Sequence, residues 1–198
     1  MDLTIKRIEQ RPIGTNCYII SDGRGSIVID PGSEVDIPSI KESIRGDLYA
    51  VILTHLHFDH SAAAHLLDAP LYLHEKELED IEMQKRLTLQ ALGRPLILPE
   101  EIHHLKEEET FGDIHFKVLH TPGHTKGGSC LLFDDFLITG DTLFAGTYGR
   151  TDLGGNDKDM DSSLRFLAQL PEELVVYPGH GEPTTIKEEK KWILNNSP

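Results

Sequence analysis

The 198-residue chain has only two cysteines, and they form no CxxC pair. That points away from a disulfide framework and from a closed, thiolate-built zinc site. Cys17 and Cys130 lie in the apolar runs Asn16-Cys17-Tyr18-Ile19-Ile20 and Ser129-Cys130-Leu131-Leu132, and both read as buried, reduced thiols. Positive charge is also scarce: 19 basic residues stand against 33 acidic ones, a net charge of −14. Such a surface repels nucleic-acid backbones and anionic membranes and argues against a nuclease. No apolar run approaches the length of a membrane span, and Met-Asp-Leu-Thr-Ile-Lys-Arg-Ile lacks a basic-then-apolar leader. The expectation is a cytoplasmic protein made without processing. With 38% hydrophobic and 26% charged residues, the composition fits one folded domain over residues 1–198.

Histidine, by contrast, is concentrated. Thr54-His55-Leu56-His57-Phe58-Asp59-His60 places four metal-capable side chains within six residues. On extended backbone His55 and His57 point to the same side, while Asp59 and His60 can aim at a neighbouring point. One short loop can thus serve two adjoining metal positions. Imidazole and carboxylate together suit zinc, and also iron or manganese.

Along the chain, apolar runs of strand character end again and again in Pro, Gly or another turn beside a His or Asp. The instances are Asp30, His55, His124, Asp141 and His180. Ligands held at the ends of separate buried strands come to one edge and are held rigidly. Helices are expected over 35–45, over 62–67 with Asp59 as its cap, over 160–170 and over 185–194. Residues 75–101 read as a helical insertion followed by a Pro-containing loop, either a lid beside the site or a plain surface excursion.

The candidate donors are His55, His57, Asp59, His60, His124, Asp141 and His180, enough for two divalent ions with an open position on each. Asp141, alone at its strand end, suits a bridge. Two such ions, about 3.5–4 Å apart, can lower the pKa of a shared water towards neutrality and polarise a carbonyl oxygen. The chemistry that follows is hydrolysis of an acyl or phosphoryl bond by a metal-bridging hydroxide, with Asp59 orienting it and taking its proton.

At this point the sequence resembles the metallo-β-lactamase superfamily. The HxHxDH signature is matched by His55, His57, Asp59 and His60, and the separate His, Asp and His positions by His124, Asp141 and His180. The resemblance implies an αβ/βα sandwich with the metals at one edge of two mixed sheets. It also implies that His55, His57 and His124 hold one ion and that Asp59, His60 and His180 hold the other, with Asp141 between. Within the superfamily the chain is similar to the glyoxalase II group, through Gly123-His124-Thr125, Gly140-Asp141-Thr142-Leu143-Phe144 and Tyr177-Pro178-Gly179-His180-Gly181. That implies thioester hydrolysis of a small, anionic substrate with two divalent ions, zinc first. The chain runs 18 residues past His180 and has no C-terminal helical extension of the kind that binds glutathione, so the thiol carrier stays open. Gly149-Arg150-Thr151-Asp152 is also similar to the persulfide dioxygenases, which would use one iron on His55, His124 and Asp141. Another ester or lactone hydrolase of the superfamily is a further alternative.

Arg150 could grip a substrate carboxylate through its fork, or pair with Asp152 or Asp157. Lys126, just after His124, is a weaker substrate-contact candidate. Asp30, in Asp30-Pro31-Gly32, is a turn former or a carboxylate that orients a ligand histidine. His65, His74, His103, His104, His115 and His120 fall outside the ligand order.

Overall fold

The computed structural model describes residues 3–196. β1 (Thr4–Glu9), β2 (Asn16–Ser21) and β3 (Gly25–Ile29) run antiparallel as a meander. The β2–β3 turn is held by Asp22, whose carboxylate accepts the backbone N–H of Arg24 and of Gly25, both at 2.8 Å. From β3 the chain crosses through α1 (Ile37–Ser43) to a parallel β4 (Asp47–Ile52), then to β5 (Leu71–Leu73) and β6 (Ile102–His104), also parallel. These six strands lie in chain order in the first sheet.

The second sheet contains β7 (Glu108–Phe111), β8 (Ile114–His120), β9 (Ser129–Leu132) and β10 (Phe136–Gly140), all antiparallel. A crossover through α4 (Asp157–Leu167) adds a parallel β11 (Val175–Pro178), which pairs with β12 (Thr184–Thr185). α5 (Ile186–Asn196) follows.

Strand side chains alternate between faces, and here both faces are buried. Tyr18, Ile20, Ile27, Ile29 and Ile52 of the first sheet meet Phe116, Leu131, Phe133 and Ile138 of the second in the middle of the molecule. The other face of the first sheet, with Ile19, Val28 and Val51, packs on Ile37 and Ile40 of α1. The outer face of the second, with Leu137 and Val176, packs on Leu164 of α4 and Ile193 of α5. The result is the expected αβ/βα sandwich of two mixed sheets.

Three strands lack an apolar alternation to announce them. β6 and β7 sit at the sheet edges, and β12 is only two residues long. β7 carries Glu108 and Glu109, charges that suit an exposed edge.

The helix expected over 62–67 does not form. α2 spans only Phe58–Ser61, followed by a separate 3-10 turn at Ala64–Leu66. Ala63 donates its N–H to Pro31 O instead of continuing a helical ladder. His57, not Asp59, occupies the cap position, and no side chain caps that end.

Residues 75–101 hold a 3-10 stretch, Glu75–Asp80, and then α3 (Ile81–Leu92), which ends at Gly93 in the left-handed region (φ +67°). Among the described residues no helix is long and apolar enough to cross a membrane.

Candidate metal centre

The site is assembled from strand ends of both sheets. Asp30 ends β3 with φ +56°, the one positive-φ residue other than glycine among the described residues. Its carboxylate accepts from Thr54 N (2.8 Å), Thr54 Oγ1 (2.6 Å) and His60 Nδ1 (2.9 Å). One side chain at the end of β3 therefore fixes the loop that leaves β4 and orients a histidine in it. His124 lies between β8 and β9, Asp141 follows β10, and His180 follows β11. β2 steadies the His180 loop: Asn16 Nδ2 donates to Pro178 O (3.0 Å) and Gly181 O (2.8 Å), and Tyr18 Oη donates to Pro178 O (2.6 Å). Gly179 must be glycine, because a Cβ there would lie 2.2 Å from Asp141 Oδ1.

The seven candidate residues converge. One ligand atom each from His55, His57 and His124 lie within 4.8 Å of one another, and so do those of Asp59, His60 and His180. Asp141 stands between the sets. Its Oδ1 is 3.2 Å from His60 Nε2, and its Oδ2 is 3.5 Å from His124 Nε2 and 3.7 Å from His180 Nε2.

In four of the histidines the nitrogen turned away from the centre has a contact of its own. His124 Nδ1 is 2.6 Å from Arg150 O, His57 Nε2 is 3.4 Å from Leu153 O, His60 Nδ1 meets Asp30, and His55 Nδ1 is 3.1 Å from Thr54 Oγ1. A carbonyl can only accept, so His124 Nδ1 carries its proton and Nε2 presents a lone pair inward.

His55 Nε2, His60 Nε2 and Asp141 Oδ1 are buried without a well-aligned hydrogen bond, although the last two face each other at 3.2 Å. Each such atom costs about 1–3 kcal/mol if nothing meets it. Cations seated between the two sets would satisfy all three, and five imidazoles with two carboxylates are donors that divalent zinc, iron or manganese accept.

The electrostatics agree. Burial, followed by repulsion from neighbouring histidines, holds His55 well down and His57 at about 4; burial also holds His124 down. These three rings are therefore neutral and able to coordinate. His60 and His180 go the other way. Burial opposes their protonation, but Asp141, Asp30 and Asp59 outweigh it at His60, and Asp59 with Asp141 outweighs it at His180. Asp59 and Asp141 are held below the usual carboxylate range, the histidines overcoming burial.

A cavity of about 550 Å³ opens over His57, Asp59, His124, Asp141 and His180. Phe58, Phe144 and Leu153 form apolar walls, and Leu87, Gln90 and Ala91 of α3 form another. The segment read as either lid or surface excursion thus contributes a wall of the cavity.

Arg150 also lines this cavity, but its guanidinium is engaged bidentately by Asp152, at 2.5 and 2.6 Å, and the pair is solvent-exposed. Lys126 pairs with Asp80 at 2.8 Å and is absent from the cavity wall. The six histidines outside the ligand order join none of the donor sets; His74 and His120 stack on each other instead. Both cysteine thiols are buried and pushed up by desolvation, Cys130 to about 11, so neither is poised as a nucleophile.

Several residues that shape the site are not among the sequence candidates. Thr15 donates to Asp59 Oδ2 at 3.3 Å, Thr54 links Asp30 to His55, and Glu77 is buried against two of the ligand loops. Thr15 and Thr54 could have been suspected from their places beside the motif and the β2 turn. Nothing distinguishes Glu77 from the other acids around it.

Known proteins are similar to this chain. A family model described as the metallo-beta-lactamase superfamily matches residues 11–180. A "probable metallo-hydrolase" of Streptococcus pyogenes serotype M6 is 39% identical over 194 residues, covering 89% of this chain and 83% of that one. Among solved structures, BLEG-1, a B3 metallo-beta-lactamase, superposes with a TM-score of 0.82 at 32% identity, covering 98% of each chain. TTHA1623 in a di-iron-bound form gives 0.79 at 34% identity, covering 93% of this chain and 96% of that one. ETHE1 from Myxococcus xanthus gives 0.76 at 29%, covering 95% and 82%. With this family model spanning most of its length, the chain belongs to the metallo-beta-lactamase superfamily.

Proposed function

We propose that this chain is a metal-dependent hydrolase of small thioesters, similar to the glyoxalase II group. The observation that carries the reading is the pair of adjoining donor sets sharing Asp141 on the floor of a part-apolar cavity. His55, His57 and His124 would hold one ion; Asp59, His60 and His180 would hold the other. Bound divalent ions supply Lewis acidity and a water of lowered pKa. Zinc is the first choice on donor type. The likeness to a di-iron protein supports iron as an occupant of the same donors.

The chain's own residues do the rest. Asp59 lines the cavity and is held ionised, so its carboxylate can accept a hydrogen bond from an attacking water and orient it. Phe58, Phe144, Leu87 and Leu153 exclude bulk water and receive the apolar parts of the substrate. Arg150, at the same wall, can exchange Asp152 for a substrate carboxylate, because an exposed pair of this kind contributes only about 0–1 kcal/mol. A thiolate leaves without an acid's help, since thiols have pKa values of about 8.5. The −14 net charge speaks against nucleic acid as substrate.

A second reading, oxygen addition to a persulfide at a single iron, needs only His55, His124 and Asp141. The completeness of the second set, Asp59, His60 and His180, favours the hydrolase. Elemental analysis of protein purified without added metal, beside rates on S-lactoylglutathione, on glutathione persulfide with oxygen and on a β-lactam, tests the proposal. Two ions per chain with thioester turnover is the expected result. One iron with oxygen uptake, or turnover of the β-lactam alone, would overturn it.

A further inference from the structure

Glu77 is a carboxylate that the proposed chemistry does not use, and it is only 3% exposed. It lies in the 3-10 stretch before α3, away from every candidate ligand in the sequence. Its Oε2 accepts the N–H of Leu56 at 2.7 Å, and its Oε1 accepts from Thr125 Oγ1 at 2.5 Å and from Gly127 N at 2.8 Å. Leu56 stands between His55 and His57, and Thr125 directly follows His124. One buried anion therefore holds both loops that carry the three-histidine set, one loop from each sheet. The fit is close: a Cβ on Gly127 would lie 2.6 Å from Glu77 N, so the second loop can approach only because residue 127 is glycine.

Burying a carboxylate costs several kcal/mol unless its oxygens are satisfied. Three donors satisfy this one, two of them main-chain N–H groups, and hydrogen bonds to an ionised acceptor are among the strong ones. Packing alone would be served as well by an apolar residue. An anion at this place gives what an apolar residue cannot, a fixed spacing between two loop backbones.

We propose that Glu77 is a positioning residue that sets the distance between the His55–His57 loop and the His124 loop, and so pre-organises one of the two metal positions. Because α3 follows directly, the same anchor fixes the helix that supplies Leu87, Gln90 and Ala91 to the cavity wall. The inference rests on the metal-site reading above.

The test is a titration of metal-free protein with cobalt(II), followed by visible absorption, for wild type, Glu77→Gln and Thr125→Val. Glutamine keeps the size, but in either orientation its NH2 faces the main-chain N–H of Leu56 or of Gly127, which only an acceptor can meet. The expected result is selective. One of two binding events weakens roughly 10–100-fold, as for other residues that orient ligands. Its absorption spectrum changes, the other event keeps its affinity, and thermal unfolding of the metal-free protein stays close to wild type. Thr125→Val should move the same event by less. Wild-type affinity and spectrum in Glu77→Gln would overturn the proposal, as would equal weakening of both events with a matching loss of fold. If Glu77→Gln does not fold, Thr125→Val decides by the same criteria. A wild type that takes up no cobalt would remove the metal-site reading itself, a different outcome from a variant that binds as wild type does.

Discussion

Asp30 Oδ2 and His60 Nδ1 lie 2.9 Å apart, both residues almost wholly buried, and the contact fixes which His60 nitrogen faces Asp141. Asp30→Asn keeps the shape, and asparagine tolerates the left-handed backbone at this position. The charge behind the imidazole is lost. Metal affinity should fall roughly 10–100-fold, with the ion nearer His60 lost first. Metal counted per chain after dialysis against a weak chelator checks this; two retained ions would refute it.

His55→Ala removes a buried candidate ligand whose inward nitrogen has no hydrogen-bond partner. Metal and thioester activity should disappear together. A variant that is inactive yet keeps a full metal complement, measured by elemental analysis, would count against the assignment.

Arg150→Ala should raise KM several-fold for a carboxylate-bearing thioester and change kcat little. Thermal stability should hardly move, because the Arg150–Asp152 pair is exposed. Steady-state rates on matched neutral and anionic thioesters give the answer. Unchanged discrimination between the two would remove Arg150 from recognition.

The metal-free protein should respond to acid through His57. Its folded pKa is depressed to about 4, against about 6.5 in an unfolded chain, so the unfolded state binds more protons between those values. Its contribution to stability is present above about pH 6.5 and is lost as pH falls towards 4. Urea unfolding of metal-free wild type and His57→Gln across this window should show a shallower slope in the variant. The difference should reach at most one proton, about 1.4 kcal/mol per pH unit. Parallel slopes would contradict it.

Much of this architecture is legible in the residues, for an identifiable reason. His55, Asp141 and His180 each follow a largely apolar strand and His124 follows the alternating β8, so strand and candidate ligand announce each other. Asp30 and Asp141 sit beside Pro or Gly turns, which marks them as strand ends.

The failures also have physical causes. β6, β7 and β12 are edge or two-residue strands with little apolar surface to bury. Asp59 looks like a helix cap, but its carboxylate is drawn to Thr15 and His180 by the fold as a whole. Arg150 could be read either way, and its fork is paired here with the nearer carboxylate, Asp152. Glu77 escapes because its meaning lies wholly in Leu56, Thr125 and Gly127, which the sequence gives no reason to connect with it.

The donors are divided between the sheets, with Asp30 and the His55–His60 loop from the first and His124, Asp141 and His180 from the second. During synthesis His180 emerges after the other six candidate donors, so a seat built from Asp59, His60 and His180 would not be complete until strands of both sheets have been made. Metal uptake at that seat would then follow the docking of the two sheets. Once seated, such ions would act as rivets across the seam. They should slow amide exchange in β4 and β10, the strands on either side, more than in the outlying edges.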